Sequence, residues 1–476
     1  MKYEIVIGLE VHAQLNTNTK MYCSCSTAFG DEANIHICPV CTAQPGALPV
    51  VNRQAIEKAI KAGLALSCEI HHTSVFSRKN YFYPDLTKGY QISQFDLPLC
   101  TNGKLEIALE NEEIKSIHLQ RIHLEEDAGK LLHDEGHADK SHVDYNRCGT
   151  PLIEIVSGPD MRSAEEASLY LKKLHAVLVY LDVCDGNLQE GNFRCDANVS
   201  IRPVGEKKFG MRTEMKNLNS FRAVERAIRY EALRHQKIIE EGGSIVQETR
   251  LWDDAKGSTH SMRSKEEAHD YRYFPDPDLL PLEVNVAWIE KVKAELPELA
   301  TEKAKRFVSE YDIPEYDAQV LTADKHLAHY FEKVVSIYNA PKKISNWIMT
   351  ELLRELNLEG IFISNCNIKP ESLAALVKAV EEKEISGKIG KEVFLLMYKT
   401  GSSPKQIIAE QGFAMVSDTG ELEKCIDEVL SENPKQLADY KSGKDKLFGF
   451  FVGQVMKKTK GQASPDLVNE LLKKKL

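Results

Sequence analysis

The chain has 476 residues, of which 42% are hydrophobic and 28% charged, and a formal net charge of −10. That length accommodates two to four domains with sizeable cores, and no run approaches the about 18 apolar residues a membrane span requires. The acidic balance excludes indiscriminate nucleic-acid binding, and 11 cysteines, an odd number in a chain this long, point to reduced thiols and metal rather than a disulfide framework. The start of the chain carries Glu4 and Glu10 and lacks a basic region followed by an apolar one. No signal peptide is therefore expected, and the expected compartment is the cytoplasm.

Residues 4–15 alternate as a strand does, and Glu10 and His12, two apart, share a face. A carboxylate and an imidazole so spaced suit a divalent cation or a phosphate, or simply a surface acid and a paired histidine. Cys23-Ser24-Cys25 is followed after 12 residues by Cys38-Pro39-Val40-Cys41. Two close thiol pairs fit tetrahedral zinc, with His36 as a substitute ligand, and the absence of a nearby base favours a structural role. Asn52 caps a predicted helix to about Leu66. Residues 78–85 and 89–96 then set aromatic rings beside basic and amide groups, which suits a nucleotide or an ordinary packed loop.

The densest chemistry lies in residues 121–130. If extended, His123, Glu125 and Asp127 fall on one face and Glu126 on the other. Two carboxylates about 4 Å apart repel by about 4 kcal/mol at an effective dielectric near 20, so such a face needs a cation, a raised pKa or full exposure. Short strands are expected at 142–146 and 152–156, the second with a single acid, Glu154, in an apolar run. Helices are expected at 163–181 and about 219–241. Between them, residues 193–201 put Arg194, Asp196, Asn198 and Ser200 on one face, and residues 212–217 put Arg212, Glu214 and Lys216 on one face. Paired in one antiparallel sheet, these strands would form a basin of carboxylates with interspersed bases, as phosphoryl transfer requires. Neither G-x-x-x-x-G-K-[ST] nor G-x-G-x-x-G occurs, so the phosphates are not held by a P-loop or a Rossmann turn.

Residues 270–278 echo the earlier aromatic-Pro-Asp segment. Beyond about residue 290 the pattern turns helical, with helices expected at 288–296, 302–311, 324–338, 345–356 and 372–383. Ser402-Ser403-Pro404 marks the start of a further unit. From Lys435 onward ten lysines face four acids, a balance of +6, which suits a basic appendage or a solvated lysine face.

Several stretches, in this order, resemble the GatB family, one of the subunit families of the tRNA-dependent amidotransferases. They are 6–12 (VIGLEVH), 78–85 (RKNYFYPD), 90–94 (YQISQ), 123–130 (HLEEDAGK), 149–157 (GTPLIEIVS), 194–198 (RCDAN), 216–221 (KNLNSF) and 270–275 (DYRYFP). The end of the chain, 453–457 (GQVMK) and 459–463 (TKGQA), resembles that family's YqeY-like tail. The resemblance implies an α+β fold: a glutamine-synthetase-like antiparallel-sheet cradle at 1–292 carrying the zinc loop, an all-α helical domain at 293–402 and an α-helical tail at 403–476. It implies ATP-dependent amidation of glutamate misattached to tRNA(Gln), aspartate misattached to tRNA(Asn), or both. The ammonia would come from an amidase, GatA, in a heterotrimer braced by a small GatC.

The chemistry then selects residues. Glu10, His12, Glu125, Asp127, Asp196 and Glu214 are the catalytic candidates. Glu10, His12, Glu125, Glu126, Asp196 and Glu214 are the magnesium candidates, with Glu154 a weaker member and alternation favouring Glu125 over Glu126. Lys79, Tyr81, Lys130, Arg194 and Lys216 are candidates for ATP and substrate. Cys23, Cys25, Cys38 and Cys41 are candidates for zinc, and Lys457, Lys458 and Lys460 for tRNA phosphates. A stand-alone ATP-dependent carboxylate-amine ligase and a zinc-containing RNA-binding scaffold are the competing readings.

Overall fold

In the computed structural model the described residues are 2–109, 111, 113–133, 140–188, 190–264, 271–359, 361–413, 419–444, 447–459, 463 and 465–476. The chain divides into two compact units, Met1–Leu299 and Ala300–Leu476. In the first unit the strands are β1 (Tyr3–Gln14), β2 (Glu69–Ile70), β3 (Thr73–Ser74), β4 (Ser77–Asn80), β5 (Tyr90–Ser93), β6 (Cys100–Ala108), β7 (Ile114–Glu126) and β8 (Lys130–His133). They continue with β9 (Ser141–Asp144), β10 (Pro151–Ser157), β11 (Phe193–Pro203), β12 (Thr213–Leu218), β13 (Glu248–Asp253), β14 (Ser258–Ser264), β15 (Phe274–Pro275) and β16 (Leu282–Glu283).

Nine of these make one sheet in the order β14-β13-β12-β11-β1-β10-β7-β6-β2. Its pairs are antiparallel except β12 with β13, which is parallel, so the expected antiparallel sheet is mixed. The reason is the connection. After β12 the chain runs through helix α3 (Phe221–Glu240) before returning, and a parallel neighbour requires such a crossover. The fold is therefore mixed α and β, built on one large sheet.

One face of the sheet is apolar. Leu9, Val11 and Ala13 of β1, Leu124 of β7, Ile153 and Ile155 of β10, and Ala197 and Val199 of β11 are all buried in one cluster. That cluster also holds the inner faces of α1 (Arg53–Ala65), α2 (Ala164–Tyr180) and α3. Each fully buried Leu, Ile or Val contributes about 1.5–3 kcal/mol, enough to fix the register. The period of two then drives the intervening residues to the opposite face. The helix starts follow their caps: Asn52 accepts from the amides of Gln54 and Ala55, Ser163 from Glu166 and Ser220 from Ala223. Helix α4 (Val286–Ala294) follows, and Val292, Leu296 and Leu299 pack onto the same core.

The second unit is helical among its described residues. Its first helices are α5 (Ala300–Tyr311), α6 (Glu315–Thr322), α7 (Lys325–Ile337), α8 (Pro341–Trp347), α9 (Leu353–Glu359), α10 (Pro370–Glu381), α11 (Gly387–Thr400) and α12 (Pro404–Gln411). They share a core around Phe331, Trp347 and Phe394. A π-helical turn at Ile348–Leu352 joins α8 to α9 where one continuous helix is expected. Neither α6 nor α11 is anticipated from the sequence. The glycines Gly387 and Gly390 weaken the helical signal of α11, yet Gly390 belongs there, because a Cβ would stand 2.7 Å from Val380 Cγ2 and 3.3 Å from the Trp347 ring. The remaining helices, α13 (Thr419–Glu432), α14 (Pro434–Lys441), α15 (Leu447–Lys458) and α16 (Pro465–Lys475), have their own core of Leu422, Ile426, Phe451, Val455 and Leu472. Among the described residues no helix is long and apolar enough to cross a membrane.

Candidate active site on the sheet face

Cross-strand register assembles the polar face. His123 stands opposite Glu154, Glu154 opposite His12 and His12 opposite Arg194, a lateral row across β7, β10, β1 and β11. Two residues along, Glu10 stands opposite Asp196, and beyond it Asn198 opposite Glu214 on β12. Directly opposed residues on one face have their Cβ atoms only about 4.5–5.5 Å apart. Five adjacent strands thus bring Glu214, Asp196, Glu10, His12, Glu154, His123 and Glu125 to the wall of one cavity of about 280 Å³. Lys79, Gln94, Phe95, Tyr271 and Tyr273 come from the three-stranded sheet β15-β4-β5 and the segments flanking it, and they line the same cavity with Arg121 and Lys216.

The carboxylates are held by specific partners. Glu125 is 2% exposed; it accepts from Ser93 Oγ (2.6 Å) and from Gln91 Nε2 (3.2 Å). His123 Nε2 lies 3.2 Å from Glu125 Oε1 and 3.6 Å from Glu154 Oε2, and His12 Nε2 lies 3.2 Å from that same Glu154 oxygen. Asn198 donates to Glu10 (3.0 Å), and Thr249 on β13 donates to Glu214 (2.8 Å). Lys216 donates to Asp196 (2.5 Å) and lies 3.2 Å from Glu214.

These neighbours set the protonation. Burial, with Glu154, Glu214 and Asp196 close by, pushes the Glu10 carboxyl above its ordinary range. Burial acts the same way on Glu125 and Glu154, but nearby cations win: Lys79 above all for Glu125, and the two histidines for Glu154, so both are held low. Burial would lower His12, yet its hydrogen bond to Glu154 raises it. His12, Glu125 and Glu154 each offer one ligand atom within 4.8 Å of the others. Two hard carboxylate oxygens and an imidazole fit a divalent cation that takes its remaining ligands from phosphate and water.

Alternation sends the next carboxylate elsewhere. Glu126 faces away from this cavity, is ion-paired with Lys88, and accepts from the Ile92 amide at 3.0 Å. It lines a second cavity of about 190 Å³ with Lys20, Tyr22 and Cys41. The strand ends at Glu126, so the alternation that would align Asp127 with Glu125 stops one residue early. Asp127 is bound instead by Arg194 (2.9 Å) and Gln14 (2.7 Å), and Arg194 and Arg147 hold its carboxyl low against burial. Arg194 is thereby committed to Asp127. Lys130 is exposed on β8, in a separate two-stranded sheet with β9. Tyr81 approaches the site indirectly: its hydroxyl donates to Gln91 Oε1 at 3.3 Å.

Cys23, Cys25, Cys38 and Cys41 come together with their sulfurs within 4.8 Å of one another, and Cys38 Sγ lies 3.8 Å from Cys41 Sγ. A tetrahedral zinc with bonds of about 2.3 Å requires sulfurs about 3.8 Å apart, so the four fit. Hydrogen bonding from Cys23 holds the Cys41 thiol below its ordinary range. His36 stands apart, its Nε2 2.7 Å from Asp31.

In the tail, Lys458 lies 2.8 Å from both Glu428 and Glu432, whereas Lys457 is exposed with no ion pair among the described residues. Lys460 lies outside the described residues, as do Asp270, Gly461 and Gln462 of the motifs. Sequence reasoning underrates Glu154 and leaves Arg121, Gln94, Phe95, Tyr271 and Tyr273 unassigned to the site. Glu154 has a signal, an acid alone in an apolar strand; the others are brought in by the register of a second sheet.

The GatB/GatE catalytic domain family matches residues 5–290, and the GatB domain family matches residues 329–476. The GatB-type subunit of the aspartyl/glutamyl-tRNA(Asn/Gln) amidotransferase from Syntrophotalea carbinolica is 58% identical over 475 residues, 100% of this chain and 99% of its own. Those of Geobacter sp. strain M21 and Persephonella marina are 58% and 55% identical, each covering 100% of both chains. With likeness along its entire length and the two domains in that order, the chain belongs to the GatB family.

Proposed function

We propose that this chain is the carboxylate-activating component of a tRNA-dependent amidotransferase, acting on glutamate misattached to tRNA(Gln), on aspartate misattached to tRNA(Asn), or on both. The observation that carries this reading is the convergence of carboxylates from five adjacent strands on one cavity with basic side chains on its wall, in a chain 58% identical to a GatB-type amidotransferase subunit. A carboxylate is a poor acyl donor, and activation supplies a leaving group. An oxygen of the side-chain carboxylate attacks the γ-phosphorus of ATP, the bond to the β-phosphate oxygen breaks, and ADP leaves. Ammonia then attacks the acyl phosphate, the carbon–oxygen bond breaks, and the phosphate departs with one of the ammonia's protons.

The side chains divide this work. His12, Glu125 and Glu154 would hold magnesium, with Glu10, Asp196 and Glu214 extending the anionic wall along the nucleotide. When bound, magnesium offsets triphosphate charge and polarises the phosphoryl group being transferred. Ser93 and Gln91 fix the orientation of Glu125, and Lys216 offsets the charge of Asp196 and Glu214. The domain reading is a glutamine-synthetase-like cradle at 1–292, a helical domain at 293–402 and a tail at 403–476 that offers lysines to tRNA phosphates. Cys23, Cys25, Cys38 and Cys41 would hold a structural zinc, which would brace the loop beside the second cavity. GatA and GatC are the expected partners, in the cytoplasm.

The test is amide formation on misacylated tRNA by the purified complex, with ATP and either glutamine or ammonium as nitrogen donor. ATP-dependent amide formation with either donor supports the reading; a complex that binds tRNA but forms no amide with either overturns it.

A further inference from the structure

The cations around the carboxylate cavity are not equivalent. Lys216 is held by Asp196 and Glu214, Arg194 by Asp127, and Arg121 lies 3.9 Å from Glu154. Lys79 differs: among the described residues it has no ion-pair partner. Its place is nonetheless fixed. On β4, Lys79 stands directly opposite Gln91 of β5, the residue whose amide donates to Glu125 (3.2 Å). Its ammonium lies over the Tyr271 ring, 5.2 Å from the centroid. As a lysine ammonium it is charged at neutral pH. A half-buried cation beside the proposed metal-holding acids, ion-paired with none of them among the described residues, can pair with an incoming anion.

The position says which anion. Glu214, Asp196 and Lys216 occupy one end of the cavity, and Lys79 enters at the other from the second sheet, beside Glu125. Glu125 and Glu214 stand on strands four steps apart, roughly 15–20 Å at about 4.8 Å per step. That separation leaves room for a triphosphate at the β12 end and an acyl group at the β7 end.

We infer that Lys79 binds the side-chain carboxylate of the misattached amino acid and retains it as the acyl phosphate forms. This rests on the activity proposed above and names the residue that receives its acceptor. Lys79 stays protonated throughout. It pairs first with the carboxylate, whose one oxygen attacks the γ-phosphorus as ADP departs, and then with the oxygens of the acyl phosphate until ammonia displaces phosphate.

The experiment compares the wild-type complex with Lys79→Gln and Lys79→Arg, using misacylated tRNA, ATP and ammonium, together with equilibrium binding of a non-hydrolysable ATP analogue. Lys79→Gln should lower kcat/KM for the misacylated tRNA about a hundredfold, the effect of removing one preorganised donor from a transition state. KM for ATP and affinity for the analogue should stay within about threefold, and Lys79→Arg, which keeps the charge, should recover about tenfold of the loss. Rates for Lys79→Gln within about threefold of wild type would overturn the inference, as would a loss appearing in ATP-analogue affinity or no recovery in Lys79→Arg. Analogue binding also reports whether the variant is folded. Failure of the wild-type complex to amidate would instead remove the underlying activity, whatever the variants do.

Discussion

The sheet-face cavity of the first unit and the lysine-rich tail of the second are both concentrations of charge, and they are built in opposite ways. In the cavity, carboxylates only 2–6% exposed, such as Glu125 and Glu154, share partners across strands. In the tail, Lys458, Lys474 and Lys475 sit at the surface, each beside acids near it. Two charges 4 Å apart interact by about 4 kcal/mol at an effective dielectric of 20 but by about 1 kcal/mol in water. The same kind of side chain should therefore matter greatly in one place and little in the other.

The largest effect is expected at the centre of the cavity. Glu125→Ala should reduce misacylated-tRNA-dependent ATP hydrolysis by about 10³-fold, roughly 4 kcal/mol of barrier, while tRNA binding by the same complex is retained. Equal losses in hydrolysis and tRNA binding would make Glu125 a structural residue instead.

A buried acid outside the cavity separates chemistry from stability. Glu231 on α3 is 0% exposed, accepts from Thr213 (2.8 Å) and lies 3.2 Å from His235. Glu231→Gln should cost about 3–5 kcal/mol in urea unfolding, because partners of a buried ion pair are left unmatched. Burial opposes ionisation there, yet His235 and Arg234 hold the carboxyl well below its ordinary value of 4.5. Its stabilisation is thus fully present above about pH 4.5 and is lost as the pH falls through the depressed folded-state value. That part of the acid loss should be missing in the variant, and an unchanged acid limb would refute it.

Metal content probes the cysteine cluster. Metal analysis of the wild-type protein should find about one zinc per chain, and Cys41→Ser should lower occupancy with a reduced melting temperature. A folded, metal-free wild type would end the zinc assignment.

The smallest effects belong to the tail. Lys457→Ala should make the dependence of log tRNA affinity on log salt shallower by about one unit, and Lys458→Ala by less, since Glu428 and Glu432 already occupy that ammonium. If the two variants behave alike, the surface pairs are not competing with tRNA.

The residues legible from sequence are those governed by one strand alone. Period two puts Glu10 with His12, Glu214 with Lys216, and Glu125 opposite to Glu126, and each pattern follows directly from apolar neighbours that must be buried. Asp127 shows where this stops: its amide bonds the Thr150 carbonyl in the turn after the strand, and no periodicity survives a turn. Glu154 is visible but underrated, because its importance comes from standing between His12 and His123 on two other strands. Tyr271, Tyr273 and Phe95 depend on the pairing of β15 with β4 and of β4 with β5, segments far apart in the chain in the first case. The parallel pairing of β12 with β13 is likewise hidden, since it is fixed by where α3 packs. Family likeness supplies the kind of chemistry, and register decides which side chains can meet.

The most direct measurement of carboxylate activation uses tRNA carrying glutamate labelled with ¹⁸O in both side-chain carboxylate oxygens. Amidation by the wild-type complex should transfer one labelled oxygen per turnover to inorganic phosphate and leave the other in the amide. Amide formation with no label in the phosphate would contradict activation by ATP in this cavity.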